Sequence, residues 1–231
     1  MAQSKGNQKA EETFEVVESA LSRSEQFIEN NQKSLIIGVA VIALIVAAYF
    51  GANKYFLEPK QKEAQVQMFM AQRYFESDSL QKALYGDGNN PGFIEIIDEF
   101  GSTKAGNLAS YYAGISFLKK GEFNEAIKYL DQFNSDDHVL SAMAKGAKGD
   151  AYIELNQNDK AVNQYLSAAK TNMNEFTSPI FLMKAGNTYE IMGNYMEAQK
   201  TYELLKAEFP TTADGRNADK YIARAQAKGK K

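Results

Sequence analysis

Hydrophobic positions fall into two regimes along this chain. From Leu35 to Ala52 the sequence LIIGVAVIALIVAAYFGA runs apolar for 18 residues without a charge. As a helix it is about 27 Å long, close to the hydrocarbon thickness of a bilayer. A lone segment in lipid must be helical to satisfy its own backbone groups. Tyr49, Tyr55 and Phe56 stand at its C-terminal end, where aromatic rings favour the headgroup region. No other stretch is apolar enough to surround a helix that is apolar on every side. A single membrane span is therefore predicted over residues 34–56, in place of a buried core helix.

After Gln61 the apolar residues recur at helical spacing, and no sustained period-two run predicts a strand pair. Val66, Phe69, Met70, Tyr74 and Phe75 predict a first helix that continues to the turn Gly86–Pro91, and a short second helix covers Phe93 to Phe100. Residues 57–104 are thus leading helices of a degenerate repeat. On the other side of the span, in the tail 1–33, Phe14, Val17, Leu21 and Ile28 predict an amphipathic helix over Glu11–Asn30. Its apolar face meets a partner or a membrane surface, or the helix is only an extension of the span.

Residues 105–231 repeat themselves. Gly114, Gly149 and Gly186 open three matches spaced 35 and 37 residues apart, each followed 12 residues later by Ala126, Ala161 and Ala198. Three positions after each glycine stands an aromatic residue (Phe117, Tyr152, Tyr189), and four after each alanine a large one (Leu130, Tyr165, Tyr202). Gly121 and Gly193 mark turns, and Pro210 follows the third unit. Small residues let paired helices approach and aromatics fill the space between pairs, so the pattern predicts stacked helix hairpins. Glu99–Gly106 recurs as Glu208–Gly215 at an offset of 109, which makes Phe93–Phe100 the second helix of a leading unit and Ala213–Lys228 a closing helix.

Composition narrows the chemistry. The formal net charge is −3 and gives no reason to expect nucleic acid; the absence of cysteine excludes disulfides and thiolate chemistry. The tail before the span holds Lys5, Lys9, Arg23 and Lys33 against six glutamates, so an uncleaved signal anchor is expected and not a cleaved leader. Charge alone leans slightly against a cytoplasmic N-terminus and determines orientation poorly, since Arg23 and Lys33 precede the span while Lys54, Lys60, Lys62 and Arg73 follow it. The single histidine, His138, lies beside Asp136 and Asp137 in an expected inter-repeat turn without further metal ligands. Gly86–Asn90 has the look of a calcium loop but lacks its bidentate glutamate. No phosphate-binding loop or nucleophile elbow is present, so no catalytic residue, metal or cofactor is expected.

The repeats resemble the tetratricopeptide family over about residues 105–228, most closely in GNTYEIMGNYMEAQKTYELLKAEFP. The chain departs from the family in having no tryptophan, and in placing Ala113, Lys148 and Ala185 where leucine usually precedes the motif glycine. The resemblance implies an all-α solenoid whose first helices line a groove. By that register the inward positions are Leu108, Tyr111, Ile115 and Leu118 in the first unit. In the second they are Met143, Asp150, Ile153 and Glu154, and in the third Ile180, Met183, Asn187, Glu190 and Ile191. The groove is mostly apolar with an acidic strip, which suits an amphipathic helix or an extended segment. A basic clamp for a peptide carboxylate is not expected, since only Asn187 fits one. The alternative occupant is the chain's own closing helix.

The whole arrangement, with the junction FIENNQKSLIIGVAVIALIVAAYFGANKYF and Gly106–Ser110 running on to Tyr129, is similar to the YfgM-like ancillary subunits of the bacterial Sec translocon. That resemblance implies a single-pass inner-membrane protein with a cytoplasmic N-terminus and a periplasmic repeat domain. It implies as partners the lipid bilayer, the SecY channel complex and a membrane-anchored periplasmic chaperone of the prolyl-isomerase type. The expected function is a non-enzymatic scaffold at the translocon. The alternative is a structural, oligomerising subunit of another envelope assembly.

Overall fold

The structure is a computed structural model and describes residues 30–230. The amphipathic helix expected from Glu11 lies outside the described residues. The described residues divide into two compact units, with the boundary between Pro59 and Lys60. Among the described residues every regular element is helical.

In the first unit, helix α1 covers residues 30–52 and passes into a π-helical turn, Asn53–Leu57. Its large apolar side chains, from Leu35 through Phe50, are exposed. A soluble helix hides one stripe; this one hides none and is long and apolar enough to cross a membrane.

The second unit is a stack of helix hairpins. Its elements are α2 (Glu58–Glu76), α3 (Leu80–Tyr85), α4 (Phe93–Phe100), α5 (Lys104–Lys120), α6 (Phe123–Gln132), α7 (His138–Glu154), α8 (Asn158–Lys170), α9 (Ser178–Ile191), α10 (Tyr195–Glu208) and α11 (Ala213–Gly229). The pairs α5/α6, α7/α8 and α9/α10 are the three repeats, and α11 closes the stack against α10.

Each first helix ends the same way. Gly121, Asn156 and Gly193 take left-handed φ values of 80°, 56° and 76°. The amide after each reaches back to Phe117, Tyr152 or Tyr189, so carbonyls left over at the helix end are satisfied. Glycine makes that conformation free of strain; asparagine is the next most tolerant residue. Five residues beyond each stands Ala126, Ala161 or Ala198, all without exposed surface.

The helix expected to run from Gln61 to Gly86 stops at Glu76 instead. Asp78 adopts φ 57°, and Ser79 N–H bonds back to Tyr74, which is the same helix ending. Ala71, Asp78 and Ala83 therefore occupy the places of Gly114, Gly121 and Ala126, and α2 is the first helix of a fourth, leading hairpin. Its second helix is split. Asp78 to Phe100 spans 22 residues where Gly193 to Phe209 spans 16. The excess of six falls in the Gly86–Gly92 turn between α3 and α4. Asp87 organises that turn: Oδ1 accepts from the amides of Asn89 and Asn90 at 2.9 and 2.7 Å, and Oδ2 from Tyr74 at 2.6 Å. With those donors, the Tyr74 hydroxyl first, the Asp87 carboxyl sits far below the usual range. Its oxygens serve the chain's own donors.

The 109-residue self-match is a capping motif used twice. Thr103 accepts from Gly106 N–H at 3.0 Å and donates to the Phe100 carbonyl at 2.7 Å; Thr212 does the same with Gly215 and Phe209 at 3.1 and 2.9 Å. In both, a Cβ on the glycine would fall about 2 Å from the phenylalanine carbonyl oxygen, at 2.1 and 1.8 Å. The threonine and glycine are required together to turn the chain into α5 and α11.

Candidate partner-binding cleft

The inward positions are set by how tightly each hairpin closes. A Cβ on Gly114, Gly149 or Gly186 would approach Leu130, Tyr165 or Tyr202 of the second helix to 2.5, 2.5 and 2.3 Å. The residue after each glycine then faces the end of that side chain. In the last two repeats the tip is a phenol. Tyr165 donates to Asp150 at 2.6 Å, and the Tyr202 hydroxyl lies 2.9 Å from Asn187 Oδ1 and 3.0 Å from Glu190 Oε1. Burial, and then the facing acids, push both phenols above their ordinary pKa. In the first repeat the rung is apolar, with Leu130, Ile115 and Ala147 in one cluster.

The acidic strip is largely neutralised from the next unit. Lys184 of α9 reaches Asp150 at 2.6 and 2.8 Å. Arg224 of α11 reaches Glu190 at 2.7 and 3.0 Å and Asn187 at 3.3 Å, while Lys228 lies 3.1 Å from Glu190. Burial pushes the Glu190 carboxyl up, but the bonds from Arg224, Lys228 and Tyr202 outweigh it and hold it below its ordinary value. Asn187 and Glu190 thus hold the closing helix, and Tyr221 of that helix packs on Tyr202 at 5.5 Å between ring centres. Sequence spacing did not reveal Lys184 and Arg224, two of the three cations that meet the acids of this face; each lies 34 residues beyond the acid it meets.

The apolar positions divide into two sets. Tyr111, Ile115 and Leu118 are half-buried against Leu130, Ala144 and Ala147, and Ile153 and Met183 against the third repeat and the closing helix. Leu108 packs with the leading hairpin. These mainly bind unit to unit. Met143, Ile180 and Ile191 instead remain 40%, 43% and 68% exposed, and Phe176 one turn before Ile180 is 70% exposed.

Between the first and second repeats the face opens into a cleft of about 520 Å³, lined by Leu118, Phe123, Ile153 and Tyr165 with Asp150 and Glu154. His138 begins α7 and is exposed, with its neighbour Asp137 capping the helix through bonds to Val139 and Leu140 N–H. Among the described residues no three acidic or histidine side chains converge as a metal site would need.

Comparison with known proteins bears on the fold. The tetratricopeptide repeat family model matches residues 108–136 and 181–212, which lie in the first and third repeats. Two crystal structures of nearly identical TPR-like repeats from a Podosopora anserina kinesin light chain, one of them a point variant, superpose with TM-score 0.56 at 14% identity. Each alignment covers 74% of this chain and 88% of the other. The MamA protein crystal structure aligns over 72% of this chain and 92% of its own at 18% identity, with TM-score 0.48. No curated protein matches the chain. The fold is all-α, a solenoid of tetratricopeptide type following one helix apolar enough to cross a membrane.

Proposed function

We propose that the chain is a non-enzymatic, membrane-tethered interaction scaffold. Helix α1 anchors it in a bacterial inner membrane with the N-terminus cytoplasmic and the repeats periplasmic. The first-helix face holds a periplasmic chaperone or an emerging client beside the Sec translocon. The observation that carries this reading is the set of exposed apolar residues, Met143, Ile180 and Ile191, along positions that the repeat register turns toward a partner. Attachment to the membrane raises local concentration, so modest contacts suffice. The resemblance of the junction and repeats to ancillary Sec subunits supports the choice of site. Crosslinking in intact membranes followed by recovery of the protein tests it. Recovery of the SecY channel or a membrane-anchored prolyl isomerase is the expected result, and recovery of the protein alone contradicts it.

A second reading, an oligomerising subunit of another envelope assembly, draws on α2. Val66 and Phe69 are exposed on that helix while Ala64, Met68 and Ala71 are buried. Mass measurement of the detergent-purified protein separates the two.

A further inference from the structure

Of the three acids that line the first-helix face, Glu154 alone is left without an ion pair among the described residues. Asp150 is held by Lys184 and Tyr165, and Glu190 by Arg224 and Lys228. Lys119, the one cation at the cleft wall among the described residues, is bound to Asp78. The cleft therefore presents apolar walls, Leu118, Phe123 and Ile153, and one carboxylate whose charge is not balanced. A purely apolar occupant would strip water from that carboxylate without replacing it, which is unfavourable. An anionic occupant would be repelled. Lysine and arginine satisfy both demands, since their stems lie along apolar surface while the head reaches an acid. A volume of about 520 Å³ holds such a side chain together with an apolar neighbour.

We propose that the cleft between α5 and α7 binds a polypeptide segment in which a lysine or arginine adjoins a large apolar residue, with Glu154 as the ionic anchor and Leu118 and Ile153 as the apolar floor. This names the partner chemistry of the scaffold reading and rests on it.

The test uses the full chain in nanodiscs of zwitterionic lipid and the fluorescence anisotropy of three labelled ten-residue peptides, built from leucine and lysine, leucine and glutamate, or serine and lysine. The leucine–lysine peptide is expected to bind roughly tenfold tighter than either of the others. Glu154→Gln, an isosteric change at an exposed side chain, is expected to lose about that factor. The loss should shrink as salt is added, because the contact is ionic. Unchanged affinity in Glu154→Gln, or equal binding of the leucine–glutamate peptide, overturns the proposal. If either result appears while wild-type membranes still yield a crosslinked partner, the cleft assignment falls and the scaffold reading stands. If wild-type membranes yield none, both fall.

Discussion

The ring of Tyr165 lies where a side chain on Gly149 would be: a Cβ there would sit 2.5 Å from Cε1, and the same ring donates its hydroxyl to Asp150 at 2.6 Å. Hairpin closure and the polar rung are one arrangement. Valine at position 149 gains little helix propensity over glycine but must displace a buried ring. Gly149→Val is expected to destabilise the repeat domain by about 1–3 kcal/mol through overpacking. Urea denaturation followed by far-ultraviolet circular dichroism checks it, and an unchanged midpoint would contradict the packing.

Asn156 ends α7 with φ 56°. Asn156→Gly is expected to be neutral or to raise stability by a few tenths of a kcal/mol, whereas Asn156→Val should lower it by about 1–3 kcal/mol, because a β-branched residue is strained there. Measured side by side in the same denaturation assay, the two substitutions should move the midpoint in opposite directions or by clearly different amounts.

Much of the stack is legible in the sequence because helix contact demands small residues. Gly114, Gly149 and Gly186 with Ala126, Ala161 and Ala198 mark the close approach of the two helices within each of the three full repeats. The leading hairpin hides because two devices disguise it: Asp78 stands where Gly121 and Gly193 stand, and the Gly86–Gly92 turn splits its second helix. Asn156 hides in the same way, as an acceptable residue in a glycine's place. Register proposes inward residues on the first helices, but which of them stay open depends on side chains arriving from the next unit. Lys184 cancels Asp150 and Arg224 cancels Glu190 across 34 residues. Periodicity places helices, but it does not assign partners between them.

Glu190 links the closing helix to pH. Burial pushes its carboxyl up, yet bonds from Arg224, Lys228 and Tyr202 prevail and hold it below the ordinary value of 4.5 in the folded chain. A carboxylate lowered by folding adds stability above its unfolded pKa, and that contribution disappears as pH falls through the folded value. Arg224 and Lys228 are partly exposed, so the contribution is modest, about 1 kcal/mol. Glu190→Gln should therefore melt below wild type at pH 7, and the two melting temperatures should converge as pH drops from about 4.5 downward. Parallel curves with a constant gap would contradict the ion pairing.

The division of the inward residues predicts two different mutant behaviours. Met143→Ser, Ile180→Ser and Ile191→Ser alter exposed positions, and each should change stability by less than about 0.5 kcal/mol while weakening partner recovery from membranes. Tyr111→Glu places a charge within the cluster of Leu130, Ala144 and Ala147, and should cost several kcal/mol. Thermal melts and membrane pull-downs on the same four variants distinguish a docking surface from a packing surface.

We propose that a membrane-anchored stack of helix pairs docks its partner on the first-helix face. A photo-crosslinking amino acid introduced singly at Ile180, Ile191 and, as a control on α10, Lys200 tests it in intact cells. Partner adducts are expected at Ile180 and Ile191, retained in the membrane fraction, and none at Lys200. Adducts only at Lys200, or protein recovered wholly in the soluble fraction, would contradict it.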